Sequence, residues 1–116
     1  MVSRQKLGAW GENQAVEFLK RQGFTVVDRN YHTTMGEIDI VARRGTDIYF
    51  IEVKTRSSAV LANDTAVTPL KRHKFDKAVR HYCYHHNIPG EVIVEGGLVV
   101  AVNRDARRVN FRLVLW

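Results

Sequence analysis

Two charged residues interrupt the apolar stretch YFIEVKT, Tyr49 to Thr55. Tyr, Phe, Ile, Val and Thr favour strands, and side chains along a strand point alternately to its two faces. Glu52 and Lys54 therefore share a face with Ile48 and Phe50, while Tyr49, Ile51 and Val53 take the other. The stretch before it, GEIDIVARR (Gly36 to Arg44), is also strand-like and carries Glu37 and Asp39. Gly45-Thr46 between them suits a two-residue hairpin turn with Gly at its first position. That turn sets Arg44 opposite Asp47. Stepping back along both strands then sets Asp39 opposite Glu52 and Glu37 opposite Lys54, with Cβ atoms about 4.5–5.5 Å apart.

Opposed like charges destabilise a sheet, and two close carboxylates resist full ionisation unless a cation joins them. A hard divalent ion such as Mg²⁺ takes carboxylate oxygens, backbone carbonyls and water, and so resolves the conflict. It also acidifies a bound water and stabilises charge on a phosphate. Lys54 beside it has two uses: to position or deprotonate the water, or to offset phosphate charge. The alternative is a salt-bridged, solvent-facing hairpin, since surface ion pairs are common and contribute little.

The elements that must carry these residues follow from periodicity and punctuation. Gln5 to Gln22 reads as a helix with an apolar stripe at Leu7, Gly11, Ala15, Phe18 and Leu19. Gly8 and Gly11 suit close approach to a neighbouring element, and Gly23 is a helix stop. Phe24 to Tyr31 reads as the first strand and His32 to Met35 as a loop; the hairpin strands are Gly36 to Arg44 and Asp47 to Arg56. Ser57 to Val67 has no period and reads as a mobile loop. Thr68-Pro69 starts a second helix, an N-cap followed by Pro at the first helical position. Phe75, Ala78, Val79, Tyr82 and Cys83 form its inward face, and it ends near Asn87. GEVIVEGGLVVAVN is strand-like, with Gly96-Gly97 a turn or bulge, and Arg107 to Trp116 is a last strand. The expected fold is α/β, of the α+β kind: a mixed sheet of about five strands flanked by helices, in the order αβββαββ.

The chain has 116 residues, 45% of them hydrophobic and 26% charged. That size and balance suit one domain over residues 1–116 with a real core. Its one cysteine, Cys83, excludes an internal disulfide and points to a reducing cytoplasm. No apolar run approaches the roughly 20 residues that span a bilayer, and the N-terminus lacks the apolar core of a signal peptide. The net charge of +6 favours polyanionic partners, nucleic acid first.

Asp39 followed by Glu52-Val53-Lys54 on the next strand resembles the PD-(D/E)XK nuclease signature. The wider set, GAWGENQAVEFLKRQGFTVVDRNY, GEIDIVARRGTDIYFIEVKTRSS and the helix from Lys71 to Tyr82, resembles the YraN-type family of small bacterial proteins, related to archaeal Holliday-junction resolvases. It covers Gly8 to about Tyr82. The resemblance implies a restriction-endonuclease-like fold, a single nuclease-like domain and a Mg²⁺- or Mn²⁺-dependent endonuclease. It implies Asp39 and Glu52 as metal-binding carboxylates, the Val53 carbonyl as a further ligand, Lys54 as the residue serving the water, and Glu12 of the first helix completing the metal shell. Glu12 also stands out in the helix pattern, as an acid at the edge of the apolar stripe. Glu37 belongs to the family's GEID pattern, either to pair with Lys54 or to widen the metal site. The chain departs from the family where AVLANDTAVT replaces a Phe-Gly segment and VEGGLVVAV replaces Arg-Phe-Asp.

Basic residues surround the hairpin. Lys71 lies at the inward face of the second helix near its N-terminus, an end that favours anions. Arg56, Arg43 and Arg44 flank the hairpin. These four are expected to hold backbone phosphates, which position a substrate without reading its sequence; Lys74, Lys77 and Arg80 read as solvated. His81, His85 and His86 lack partners at zinc-ligand spacing and read as surface histidines. Cys83 reads as structural, and Trp10 and Trp116 as packing. The expected function is a metal-dependent endonuclease acting on DNA rather than RNA, branched or structured DNA included. The alternative is a nucleic-acid-binding module with this fold and little or no cleavage. Symmetric cutting of two strands would require a homodimer.

Overall fold

A computed structural model of the chain describes residues 4–57, 69–103 and 107–116. Most of the Ser57–Val67 loop and the Thr68 cap fall outside those residues. The elements are α1 (Arg4–Arg21), β1 (Thr25–His32), β2 (Glu37–Arg44), β3 (Asp47–Ser57), α2 (Pro69–His86), a 3₁₀ turn (Gly90–Val92), β4 (Ile93–Asn103) and β5 (Arg108–Leu115). Among the described residues this is the expected order αβββαββ, with two α-helices and one five-stranded mixed sheet in the order β1-β2-β3-β4-β5. No described helix is long and apolar enough to cross a membrane.

Both helices end by the same device. The N–H of Phe24 bonds the Leu19 carbonyl and that of Gly23 the Lys20 carbonyl, with Gly23 at φ 88°. At the end of α2, Asn87 takes the left-handed position at φ 54° and the Ile88 N–H bonds the Cys83 carbonyl at 3.0 Å. Each closes orphan carbonyls through one residue that tolerates positive φ. The apolar residue that follows, Phe24 or Ile88, packs back into the core.

The sheet divides the core in two. On the α1 face, Ala15, Val16 and Leu19 meet Ile40, Ala42, Tyr49, Ile51, Leu98 and Val100. On the α2 face, Phe75, Ala78, Val79, Tyr82 and Cys83 meet Ile38, Val41 and Phe50. Alternation along β3 therefore works as read, with Tyr49 and Ile51 under one helix and Ile48 and Phe50 under the other. Fully burying a side chain such as Phe50 or Leu19 contributes roughly 1.5–3 kcal/mol.

The β2–β3 hairpin keeps the expected register from Arg44 opposite Asp47 to Ile40 opposite Ile51, but the ladder stops there, short of the expected Asp39–Glu52 and Glu37–Lys54 pairs. β3 and β4 run parallel over ten pairs, from Ile48 with Ile93 to Ser57 with Val102. A parallel pair needs a long crossover, and α2 is part of it. Gly96 and Gly97 do not break β4. They pair with Ile51 and Glu52 on one side and with Leu115 and Val114 on the other. The expected turn or bulge is replaced by close packing: a Cβ on Gly97 would stand 2.7 Å from the Trp116 ring, and one on Gly96 would stand 2.8 Å from the Val114 carbonyl oxygen.

Candidate active site

Asp39 sits where β2 leaves regular alternation. Ile40 and Ala42 pack on the α1 face, so a regular strand would put Ile38 there as well. Ile38 instead packs under α2 with Val41. The neighbouring strand bends at the same level: Arg29 pairs with Ile40 and Tyr31 with Ile38, and Asn30 between them has φ 53°. The β2–β3 ladder ends at Ile40–Ile51. One residue further on, the Asp39 carboxylate takes the place of a backbone partner: Val53 N–H donates to Asp39 Oδ2 at 2.8 Å.

Three other acids make the site more negative. Burial pushes the Asp39 carboxyl up from 3.8 to about 6, the Val53 hydrogen bond opposes this, and Glu12, Glu52 and Glu37 each add to the rise. Glu52 is four-fifths buried and spends one oxygen on Lys54, with Oε1 2.9 Å from Nζ. Its other oxygen, Oε2, is buried with no hydrogen-bond partner. A carboxylate oxygen stripped of water without compensation is costly, and such an atom invites a cation. Glu37 does not pair with Lys54; its Oε2 lies 2.9 Å from His32 Nδ1 on β1.

Glu12 reaches the site from α1, and Arg29 of β1 engages it. Arg29 Nη2 donates to Glu12 Oε1 at 3.3 Å and to Asn13 Oδ1 at 2.8 Å. The helix comes close enough because Gly11 has no side chain: a Cβ there would run into Thr55 Oγ1. The close approach expected of Gly11 is present. That expected of Gly8 is not, since nothing lies within 4 Å of a Cβ at Gly8; Gly8 instead lines the cleft beside α1.

Two clefts open on either side of the Glu37–Glu52–Lys54 line. The first, about 590 Å³, lies on the α1 side and is lined by Gly8, Glu12, Asp39, Val53, Thr55 and Arg56 among others. The second, about 550 Å³, lies between the β1–β2 loop and α2, with Lys71 and Lys74 in its wall. Glu37, Glu52 and Lys54 line both. Among the described residues, no three His, Cys, Asp or Glu side chains are gathered tightly enough to hold a metal ion by themselves. Asp39, Glu12 and Glu52 thus line one cleft, with Glu12 tied to Arg29.

The extent and order of these features match a known family. The uncharacterised protein family UPF0102 matches residues 11–111. This chain belongs to UPF0102. The span takes in Glu12, Asp39, Glu52, Lys54 and Lys71 and bears out the YraN-type resemblance. A UPF0102 protein of Syntrophomonas wolfei is 40% identical over 79 residues, 67% of this chain and 69% of that protein. One of Chloroflexus aurantiacus is 31% identical over 112 residues, 97% of this chain and 92% of that protein. One of Alkaliphilus oremlandii is 44% identical over 68 residues, 59% of this chain and 58% of that protein.

In this UPF0102 member the four expected phosphate-holding residues divide into two pairs. Lys71 and Arg56 each line a cleft. Arg43 and Arg44 line neither. They stand at the turn end of β2, with Arg44 about 17 Å along the strand from Asp39 at about 3.4 Å per residue. Arg44 is engaged in packing: its guanidinium lies 4.3 Å from the Phe24 ring centroid and donates to the Tyr49 hydroxyl at 3.3 Å. Lys74, read as solvated, lines the second cleft. Arg29 carried no sequence signal toward Glu12. Its placement depends on the β1 irregularity between Val26 and Asp28, which periodicity does not reveal.

The remaining candidates resolve into structure. Burial, then the nearby Glu95, pushes the Cys83 thiol up to about 11, far from a reactive thiolate. Trp116 packs against Phe75 and Trp10 against the α1-side core. His81 Nδ1 lies 2.6 Å from the Tyr31 hydroxyl and ties α2 to β1, while His86 stacks on Tyr82 within α2.

Proposed function

We infer that this UPF0102 protein is a divalent-metal-dependent endonuclease that hydrolyses phosphodiester bonds of DNA, branched or structured DNA included. The observation that carries this is the buried, unpartnered Oε2 of Glu52 next to Asp39, whose carboxyl burial holds up at about 6. Both acids face a cleft that Lys54 and Arg56 also line.

The donor set suits Mg²⁺ or Mn²⁺, which bind proteins through one or two carboxylates and take water and substrate phosphate for the rest. Asp39 and Glu52 would hold the ion. The Val53 carbonyl stands on the same edge of β3 as its N–H, because a strand residue presents both groups to one neighbour, and it would serve as a third donor. Glu12, tied to Arg29, would complete the shell directly or through water. Bound there, the ion would supply Lewis-acid charge and a more acidic water.

The residues of the chain do the rest. Asp39 is fixed by the Val53 N–H, so its carboxylate is aimed before any ligand arrives. Lys54, 2.9 Å from Glu52, orients the attacking water or neutralises the phosphate oxygens. Water adds to phosphorus, the bond to the leaving oxygen breaks, and that oxygen takes up a proton. Arg56 and Lys71 hold the backbone on either side.

A second reading draws on two observations. Glu12 is paired with Arg29 and no described trio of ligands is preassembled, which favours a nucleic-acid-binding module that cuts poorly. Incubating junction, flap, single-stranded and duplex DNA with the protein and Mg²⁺, Mn²⁺ or a chelator separates the two. Products that require metal support the nuclease. Binding without cleavage on every substrate supports the module, and neither binding nor cleavage contradicts both.

A further inference from the structure

The second cleft holds Lys71, given a backbone contact above, and its walls are built. The Thr33–Gly36 turn is closed by Thr33 N–H donating to the Gly36 carbonyl at 2.8 Å. Its inside is filled by the Thr33 hydroxyl, which accepts the N–H groups of Met35 and Gly36 at 3.1 and 3.0 Å. The turn is pressed onto α2, for a Cβ on Gly36 would collide with the Lys74 carbonyl. A stiff loop thus faces the first two turns of a helix with no acid in its first turn.

The lining selects an anion. Among the described lining residues, Lys54, Lys71 and Lys74 stand against Glu37 and Glu52, three cations to two carboxylates. The lysines therefore set the sign of the opening, reinforced by the partial positive charge at the start of α2. Lysines beside the start of a helix suit a phosphate, a contact that positions a strand without reading its sequence. It shares Glu37, Glu52 and Lys54 with the first cleft, so its phosphate belongs next to the reacting one.

We propose that this cleft is a subsite for the phosphodiester adjacent to the scissile one on the same strand, gripped by Lys71 and Lys74. The assignment rests on the nuclease reading and sharpens its substrate: the protein acts on internal linkages and needs at least one further phosphodiester on that side. A linkage at that end of a strand is left uncut.

The test uses DNA strands in which one phosphodiester at a time is replaced by an uncharged methylphosphonate. Binding is measured without divalent metal for the wild-type chain, Lys71→Ala/Lys74→Ala and Lys71→Gln, with thermal unfolding to verify that each variant folds. Wild type is expected to lose affinity several-fold when one phosphate beside the cleaved linkage is neutralised. The double variant should bind weakly throughout, show no further loss at that phosphate, and have a salt slope lower by about 1. A double variant whose scan matches that of wild type overturns the subsite and leaves the nuclease reading standing. Sensitivity confined to a terminal phosphate overturns the internal assignment. Failure of wild type to bind any strand overturns both readings.

Discussion

The Asp39 carboxylate accepts the backbone N–H of Val53 at 2.8 Å, one residue past the end of the β2–β3 ladder. A side chain thereby stitches two strands where backbone pairing stops. It also places one acid of the proposed centre against the Glu52-Val53-Lys54 segment that supplies the others.

That arrangement has a cost that depends on pH. Burial holds the Asp39 carboxyl up at about 6, so the folded chain keeps this proton to higher pH than the unfolded chain does. The contribution to stability is full below about 3.8 and is lost as pH rises through about 6. Asp39→Asn keeps an acceptor for the Val53 N–H and carries no charge. At pH 7.5 it should exceed wild type by roughly 1–3 kcal/mol, at about 1.4 kcal/mol per pKa unit. The gap should close near pH 4. Urea denaturation at both pH values measures it, and an equal gap at both contradicts the assignment.

Protons and divalent ions should compete for the same carboxylate. Mn²⁺ should raise the unfolding temperature of wild type at pH 7.5 by mass action, and the rise should fade as pH falls through about 6, where Asp39 takes up its proton. Glu52→Gln should lack the rise at every pH. Scanning calorimetry with and without Mn²⁺ tests this, and a Glu52→Gln chain that still gains stability places the ion elsewhere.

Arg29 should restrain Glu12. It donates to Glu12 and to Asn13, so Arg29→Met releases a mostly buried acid into a cleft that already holds Asp39 and Glu52. Without metal the variant should lose roughly 1.5–3 kcal/mol, the range for a hydrogen bond to a charged group. With Mn²⁺ it should bind the ion several-fold more tightly. Isothermal titration reads the second effect, and unchanged affinity means that Glu12 takes no part in the centre.

The approach of α1 should hinge on Gly11. Gly11→Ala forces a methyl group onto Thr55 Oγ1 and should destabilise by about 1–3 kcal/mol, as overpacking does. Adding Thr55→Ala makes room and should restore part of the loss. Equal losses in the single and double variants mean that the helix shifts bodily instead.

Much of this was legible in the residues because local chemistry decided it. Gly45-Thr46 set the hairpin, and the observed φ of 63° at Gly45 is the turn geometry that calls for glycine. Gly23 ended α1 for the same reason. The register followed, and it brought Asp39 to the Glu52-Val53-Lys54 segment. What periodicity missed was set by contacts distant in sequence. The face switch at Asn30 and Asp39 arises because Ile38 and Tyr31 pack under α2. Gly96 and Gly97 read as a break, because a strand glycine usually weakens pairing; they are there to admit Trp116 and the close passage of β5. Arg43 and Arg44 counted as near the acids by sequence number, but a strand carries them to its far end.

The central claim is that Asp39, Glu52 and Lys54 form one hydrolytic centre. The most direct measurement is single-turnover cleavage of the best-cut DNA substrate with Mn²⁺, comparing wild type with Asp39→Asn and Lys54→Ala. Each substitution should lower the cleavage rate by at least about a hundredfold, the usual scale for losing a positioned catalytic group, while DNA binding without metal stays within a few-fold of wild type. Cleavage at the wild-type rate in both variants would contradict the account.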